Sequence, residues 1–385
     1  MRPKIKILMV SMPTLHFFRW VSQLKNTNFE VYWFDIVDGG NSIEKISWVH
    51  QITNWKRKFD YPGRSFIKKN FEGIYNTIQK VNDRSTEKVF EETLKKIQPD
   101  MVHSFALYVS CTPIISVMKK YNNISWIYSS WGSDLFYFQN DELYLKDIKR
   151  VLPRVNYLFA DCRRDFLIAK KLGFQGDFLG VYPGGGGFDF SLMKDLKKDF
   201  KERNVILIKG YQGRSGRAVE VLKALLRIKN EVEDFGLTIF GAAEEVVQFV
   251  ENSDLHNWEN LQVYKRVKHE EVLKLMGEAV LYIGNSNSDG MPNTLLEAMC
   301  MGVIPVQSNP GGVTEEVIKH AENGYLIDEC ENVDHIKMVL TMALRELKGK
   351  YESITLENEK LSQNWEFTHV KEEVIKKYNS VSEKI

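Results

Sequence analysis

The sequence predicts an α/β protein built from two doubly wound domains, each a parallel sheet flanked by helices. Short apolar runs of strand length alternate with helix-period segments along nearly all of the 385 residues. The alternation breaks once, at Tyr182-Pro183-Gly184-Gly185-Gly186-Gly187-Phe188-Asp189, where a proline and four glycines precede a charged run to Arg203. It then restarts with the same rhythm. The composition, 43% hydrophobic and 27% charged, supplies material for two cores and excludes disorder, collagen or coiled coil for the chain as a whole. Apolar runs fall short of the ~18–20 residues of a membrane-spanning helix. No short-period repeat argues for a solenoid.

In the first half, Ile5-Lys6-Ile7-Leu8-Met9-Val10-Ser11-Met12 reads as a buried strand. A turn at Pro13-Thr14 leads into a helix through Phe17, Trp20, Val21 and Leu24, and Phe29–Asp35 is the next strand. Met101–Phe105, Trp126–Ser129 and Tyr157–Ala160 are further strands, with helices expected at Val89–Ile97 and Ala106–Lys119. In the second half, strands are expected at Val205–Ile208, Gly236–Phe240, Asn260–Tyr264, Val280–Ile283 and Val303–Val306. Helices are expected at Gly216–Ile228, His269–Ala279, Thr294–Met301, Val333–Lys348 and, as a charged surface helix, Trp365–Tyr378. The expected division is a first domain over 1–183, a linker over 184–203, a second domain over 204–355 and a helical segment over 356–385. A cleft between two such domains, at the carboxyl ends of their strands, is the expected ligand site.

The net charge of +1 hides an asymmetry. Residues 1–185 carry 27 basic and 18 acidic side chains, net +9, and the remainder 25 and 33, net −8. The cations concentrate in Lys56–Lys69, interleaved with Phe59, Tyr61 and Phe66. That mixture fits the headgroup layer of an anionic membrane; the bland alternative is a solvated lysine-rich loop. Nucleic acid is the rival partner, but no nucleic-acid motif accompanies the patch, and none is expected to bind. Cys111, Cys162, Cys300 and Cys330 lack metal-ligand spacing, and the N-terminus shows no cleavage signal. The expected setting is therefore cytoplasmic, with reduced thiols, at the inner face of the plasma membrane if the basic patch binds lipid.

The most informative stretch is Gly284–Met299. It leaves a strand, crosses a small polar loop and enters a helix near Thr294. Backbone N–H groups at that helix start, with Gly290, form an anion site suited to a diphosphate. Glu297, one turn in, could accept from paired hydroxyls such as those of a ribose, and Asp289 could grip a second pair. Singly, each residue would read as a capping loop or a surface carboxylate; their order argues for a site.

Asp289-Gly290-Met291-Pro292-Asn293-Thr294-Leu295-Leu296-Glu297-Ala298-Met299, followed by Met301–Val306 and Asn309-Pro310-Gly311-Gly312, resembles the retaining GT-B glycosyltransferases of the large "group one" family. The signature is two carboxylates separated by seven residues, here with Asp289 where the family usually has Glu. Pro99–His103, Trp131-Gly132-Ser133-Asp134, the Pro183–Asp189 segment and Asn364-Trp365-Glu366 agree in order and spacing. The resemblance implies two Rossmann-like domains facing across a cleft, with the C-terminal helix returning to the first. It implies a sugar moved from a nucleotide-diphosphate donor to a glycan or lipid-linked acceptor with retention, as in bacterial surface polysaccharide synthesis.

By the same resemblance, Glu297 holds the ribose, Asp289 the donor sugar's hydroxyls, and the backbone of Gly290, Met291, Pro292 and Asn293 lines the sugar and diphosphate. The family's Arg and Lys after the first strand of the second domain correspond to Lys209–Arg217. Diphosphate neutralisation is assigned to Arg217, with Arg214 and Lys209 behind it, because a leaving diphosphate needs fixed positive charge. Gly210, Gly213 and Gly216 do not form a dinucleotide fingerprint, so no nicotinamide cofactor is expected. No metal is expected either. Trp131 stands where many relatives carry a histidine and is expected to stack on a sugar, with Asp134 contacting the donor or accepting the acceptor's proton. His16 is an acceptor-side candidate, and His103 is either another or a structural core histidine. In the front-face mechanism the departing diphosphate itself takes the acceptor proton. Two alternatives stay open: a nucleotide-sugar epimerase or hydrolase of the same fold, and a non-catalytic sugar-binding subunit.

Overall fold

The computed structural model describes residues 4–385. The chain forms two compact units. The first comprises Met1–Ala160, Phe166–Val181 and Glu373–Ile385; the second comprises Asp161–Asp165 and Tyr182–Glu372.

The first unit holds β1 (Ile5–Ser11), β2 (Phe29–Asp35), β3 (His50–Ile52), β4 (Met101–Phe105), β5 (Ser125–Ser130), β6 (Tyr157–Ala160) and β7 (Asp177–Val181) in the order β3-β2-β1-β4-β5-β6-β7. All neighbours are parallel. The second unit holds β8 (Val205–Lys209), β9 (Gly236–Phe240), β10 (Leu261–Tyr264), β11 (Ala279–Gly284), β12 (Ile304–Ser308) and β13 (Tyr325–Ile327), all parallel in the order β10-β9-β8-β11-β12-β13. These are the two Rossmann-like units expected from the alternation.

Continuous apolar strands follow from burial on both faces. In β8, Ile206 and Ile208 pack into one core with Leu222, Leu237 and Ile283, while Leu207 between them enters another with Tyr282 and Leu295. The strand period of two divides the residues. Each sheet reverses its strand order once, between β1 and β4 in the first unit and between β8 and β11 in the second. Loops at such reversals open a crevice at the carboxyl ends of the strands, where ligands bind in this architecture.

The C-terminal residues Glu373–Ile385 belong to the first unit, as expected. Tyr378, fully buried, anchors them: its hydroxyl accepts from Trp20 Nε1 at 3.0 Å and lies 2.6 Å from His103 Nδ1.

Some elements differ from expectation. The 184–203 segment is part of the second unit rather than a linker: Phe188 and Met193 are buried in its core, and Phe190–Leu196 is helical, capped by Asp189. The helix expected over Ala106–Lys119 is broken into a wide turn at Leu107–Cys111, a tight turn at Thr112–Ile114 and a helix at Ile115–Lys120. Pro113 lacks the N–H that a continuous helix needs. The helix expected to end at Lys348 runs on to Ser362, burying Tyr351, Ile354 and Asn358. The edge strands β3, β7 and β13 are absent from the expected elements: β3 and β13 have only three residues each, and in β7 only Leu179 is buried.

Candidate donor and acceptor sites

In the second unit, the strand-order reversal brings together the ends of β8 and β11. Lys209 is the last residue of β8, and the loop after β11 runs from Asn285 to Pro292 before the helix Asn293–Cys300. Lys209 Nζ lies 3.8 Å from Asp289 Oδ2 and 4.6 Å from the centre of the Tyr211 ring. Burial alone would discharge the ammonium, but the charge of Asp289, helped by Tyr282, Tyr211 and Glu297, holds its pKa above the usual lysine value. The Asn293–Cys300 helix has Pro292 at its N-cap and no side-chain capping bond. No side chain at the N-cap competes for this first turn, where Pro292 O accepts from Leu295 N at 3.0 Å and from Leu296 N at 3.2 Å.

Glu297 sits one turn inside this helix and is only 2% exposed. A buried carboxylate needs a partner; His269, opening the helix His269–Glu278, places Nε2 2.6 Å from Glu297 Oε1. The sequence reading missed His269, which lies 28 positions away.

The Asp289 loop is also pinned from a distant segment. Arg164 is nearly buried and donates through Nη2 to Asp289 O at 2.7 Å and through Nη1 to Pro310 O at 2.6 Å. Burial would weaken its charge, but Asp165, 2.8 Å away, holds the guanidinium protonated. Gly290 packs closely on the same segment: a Cβ there would crowd the Asp161 carboxylate, so one of the two would have to shift. Gly290 N donates to Asp289 Oδ1 at 2.9 Å, which turns that carboxylate onto its own loop. Met291 and Pro292 are buried, Met291 in the hydrophobic core, so each offers the site its backbone alone. Asn293 is half-buried at the helix start.

The three cations are placed differently. Arg217, assigned first to the diphosphate, donates Nε to Glu331 at 2.7 Å and Nη1 to the carbonyls of Gly213 and Gly216 at 2.9 and 2.7 Å. Its guanidinium braces the loop after β8. Arg214 is exposed on that loop. Lys209 is the cation that lies against Asp289.

Among the described residues, one trio of metal-ligand types converges, Asp161, Cys162 and Asp165, with ligand atoms within 4.8 Å of one another. Asp165 is committed to Arg164, and burial, reinforced by Asp161, pushes the Cys162 thiol far up. The trio reads as a buried ion-pair knot rather than a thiolate metal site.

In the first unit, the reversal between β1 and β4 gathers His16, just after β1, and Trp131, just after β5. Their rings lie 6.2 Å apart, and Trp131 also packs on Phe105 at 4.8 Å. Ala106, following β4, holds φ 64° and ψ 126°, a conformation that side-chain-bearing residues rarely adopt and that clusters at functional loops.

Two residues proposed for this side are placed inside the fold. Asp134 is buried, and Oδ2 accepts from the Leu107 amide at 2.6 Å and the Tyr128 hydroxyl at 2.5 Å. It orders the Trp131 loop. His103 has no exposed surface: Nδ1 meets Tyr378 Oη, Nε2 meets Ser129 Oγ at 2.8 Å, and burial drives its pKa well below the usual histidine value. Of the two readings offered for His103, the structural core histidine holds. The sequence could not separate them, because its partner Tyr378 lies 275 residues away.

Comparison with known proteins adds to this geometry. Residues 192–355 match the family model described as glycosyl transferases group 1, and residues 89–162 match glycosyl transferase 4-like. No curated protein sequence matches the chain. Among solved structures, sucrose-phosphate synthase from Thermosynechococcus elongatus is similar over 99% of this chain and 100% of its own, with TM-score 0.74 and 14% identity. Anabaena Alr3699/HepE in complex with UDP and glucose is similar over 98% and 100%, with TM-score 0.69 and 12% identity. A glycosyltransferase from Rickettsia africae ESF-5 is similar over 98% of both chains, with TM-score 0.67 and 14% identity. At these identities the solved structures establish the GT-B fold; the family-model matches support a glycosyltransferase of the group 1 type.

Proposed function

We propose that this chain is a glycosyltransferase of the group 1 type whose second unit holds a nucleoside-diphosphate sugar and whose first unit receives a glycan or lipid-linked acceptor. The observation that carries the donor assignment is the pairing of Lys209 with Asp289 in the loop that leads into the Asn293–Cys300 helix, with Glu297 one turn inside it.

In this reading Glu297 accepts the ribose hydroxyls, with His269 holding one of its oxygens. Asp289 and the backbone of Gly290–Asn293 take the sugar, and the helix N-terminus and Lys209 take the diphosphate, assisted by Arg214. Fixed positive charge at that point stabilises the leaving group as the glycosidic bond breaks. No metal or redox cofactor is assigned a role. The acceptor hydroxyl bonds to the anomeric carbon from the face the diphosphate leaves, and the diphosphate oxygen takes its proton, so configuration is retained. Support for retention comes from the resemblance of the 289–299 motif to retaining enzymes. His16 and Trp131 are assigned to the acceptor, Trp131 by stacking on a sugar face.

The support from Anabaena HepE is that this similarly folded protein was solved with UDP and glucose. The reading is tested by calorimetry of UDP-, GDP-, ADP- and dTDP-sugars against the wild type and Glu297→Ala. One donor binding tightly, and lost in the variant, is the expected result. Absence of binding by all four overturns the reading. With the donor known, the anomeric configuration of the product, read by NMR, tests retention.

A further inference from the structure

The first unit carries a surface excursion that neither the donor site nor the sheet explains. It leaves after Trp55, whose buried indole donates to Asp35 O at 2.8 Å, and returns at Arg84. Its base is stapled shut. Lys58 N donates to Asn82 O at 2.9 Å, Phe59 N to Asn82 Oδ1 at 3.1 Å, Asn82 Nδ2 to Phe59 O at 2.9 Å, and Arg84 N to Lys56 O at 2.6 Å. Asn82 itself is fully buried. Between these staples, from Lys56 to Val81, no residue is buried.

Two helices fill the excursion, Arg64–Asn70 and Glu72–Asn82. The excursion carries Phe59, Phe66, Phe71, Ile74 and Val81, each 49–70% exposed. Phe66 and Phe71 pack ring to ring at 6.0 Å across the helix junction, and Ile74 and Val81 share a helix face. Single exposed apolar residues are ordinary, but a grouping of this kind marks an interaction surface. The same stretch, 56–83, holds seven cations (Lys56, Arg57, Lys58, Arg64, Lys68, Lys69, Lys80) against Asp60, Glu72 and Asp83, net +4.

We propose that the Lys56–Asp83 excursion docks the protein on an anionic lipid bilayer, with Phe66, Phe71 and Ile74 entering the interface and the lysines meeting the headgroups. Charge complementarity selects this occupant. Large apolar side chains flanked by long cationic ones meet the two demands of a lipid interface at once, apolar depth and anionic headgroups. A neutral bilayer would leave the cations unanswered. The proposal deepens the reading of a lipid-linked acceptor, while its surface argument is independent of the donor site.

The test is flotation of the full chain with vesicles of phosphatidylcholine alone and of phosphatidylcholine mixed with phosphatidylglycerol. Binding to the mixed vesicles only, weakening with salt, is expected. Each charge removed by Lys68→Gln or Lys69→Gln should lower partitioning about fivefold, and the triple change Phe66→Ser, Phe71→Ser, Ile74→Ser should abolish it. All of these positions lie outside the donor unit, so binding of whichever of the UDP-, GDP-, ADP- or dTDP-sugars the wild type takes, measured on the same preparations, should be unchanged, which separates failure here from failure of the donor assignment. Failure of the full chain to float overturns the proposal, as does equal flotation of the triple variant. So does triple-variant behaviour that shows the patch to be a contact between copies, with self-association lost and lipid binding kept.

Discussion

His269 Nε2 lies 2.6 Å from Glu297 Oε1, so one oxygen of the buried carboxylate at the heart of the candidate donor site is already engaged by this protein's own imidazole. The pairing fixes the carboxylate's rotation. His269 is in this sense a positioning residue, acting on the donor through Glu297. Removing it by His269→Ala frees the carboxylate to rotate and leaves it buried without that bond. Hydrogen bonds to charged groups contribute about 1.5–3 kcal/mol, so donor affinity should fall about 10- to 100-fold. His269→Gln, which can still donate, should recover part of it. Calorimetry with whichever nucleotide sugar the four-donor titration selects reads both; equal binding by wild type and His269→Ala would refute the role.

Lys209 and Arg217 make opposite predictions about the diphosphate. Lys209→Met removes the ammonium beside Asp289 and should reduce turnover by about 10²-fold or more, the scale on which lost electrostatic stabilisation acts. Arg217→Met breaks a bond to Glu331 and two to loop carbonyls, so it should act chiefly on the stability of the loop after β8. Steady-state kinetics beside melting curves for the two variants distinguish these outcomes. A larger loss of turnover in Arg217→Met would return the diphosphate to arginine.

Gly290→Ala tests the packing of the donor loop against Asp161. The added methyl would stand 2.3 Å from Asp161 Oδ2, and Asp161 is itself buried, so loop or carboxylate must move. Overpacking of this kind costs about 1–3 kcal/mol. A lower unfolding midpoint in denaturant, with weaker donor binding, is the expected pair of results.

What the sequence made legible follows from how local each feature is. Asp289 and Glu297 lie within nine consecutive residues running from a loop into a helix, so their order alone marked the candidate donor loop. The inner parallel strands were readable because burial on both faces makes them continuous apolar runs; β3 and β13, three residues long, and β7, with one buried residue, offer too little pattern. His269 and Arg164 reach the site from 28 and 125 positions away, through contacts that only the folded chain creates. His103 and Asp134 looked chemical because histidine and aspartate are chemical residue types; their partners Tyr378 and Tyr128 turn them into core and loop supports. Lys56–Lys69 read as a loop because helix-length apolar periodicity is missing where no helix face is buried.

Tyr378 bridges two buried donors and acceptors at once, Trp20 Nε1 and His103 Nδ1. Tyr378→Phe keeps the ring packing against Phe29 and Phe159 while deleting the hydroxyl. Leaving those buried nitrogens unanswered should cost about 1–3 kcal/mol. Chemical denaturation of wild type and variant checks it; an unchanged midpoint would mean that water replaces the hydroxyl.

His103 also predicts how stability responds to acid. Burial lowers its folded-state pKa well below the unfolded value of about 6.5. Above pH ~6.5 both states carry neutral imidazole and the group contributes no pH dependence. Below it the unfolded chain takes up a proton that the native chain refuses, so stability falls as pH drops. The limiting slope is about 1.4 kcal/mol per pH unit for one group. Tyr378, which faces His103, has its own pKa raised by burial and stays protonated throughout this range. His103→Gln removes the titration while keeping an amide that can bond Tyr378 or Ser129. Unfolding free energies measured from about pH 7.5 down to about pH 5, which brackets the histidine value, should therefore fall more steeply for the wild type than for His103→Gln. Parallel curves would show that His103 takes up its proton without cost in the native state, contrary to its burial between Tyr378 and Ser129.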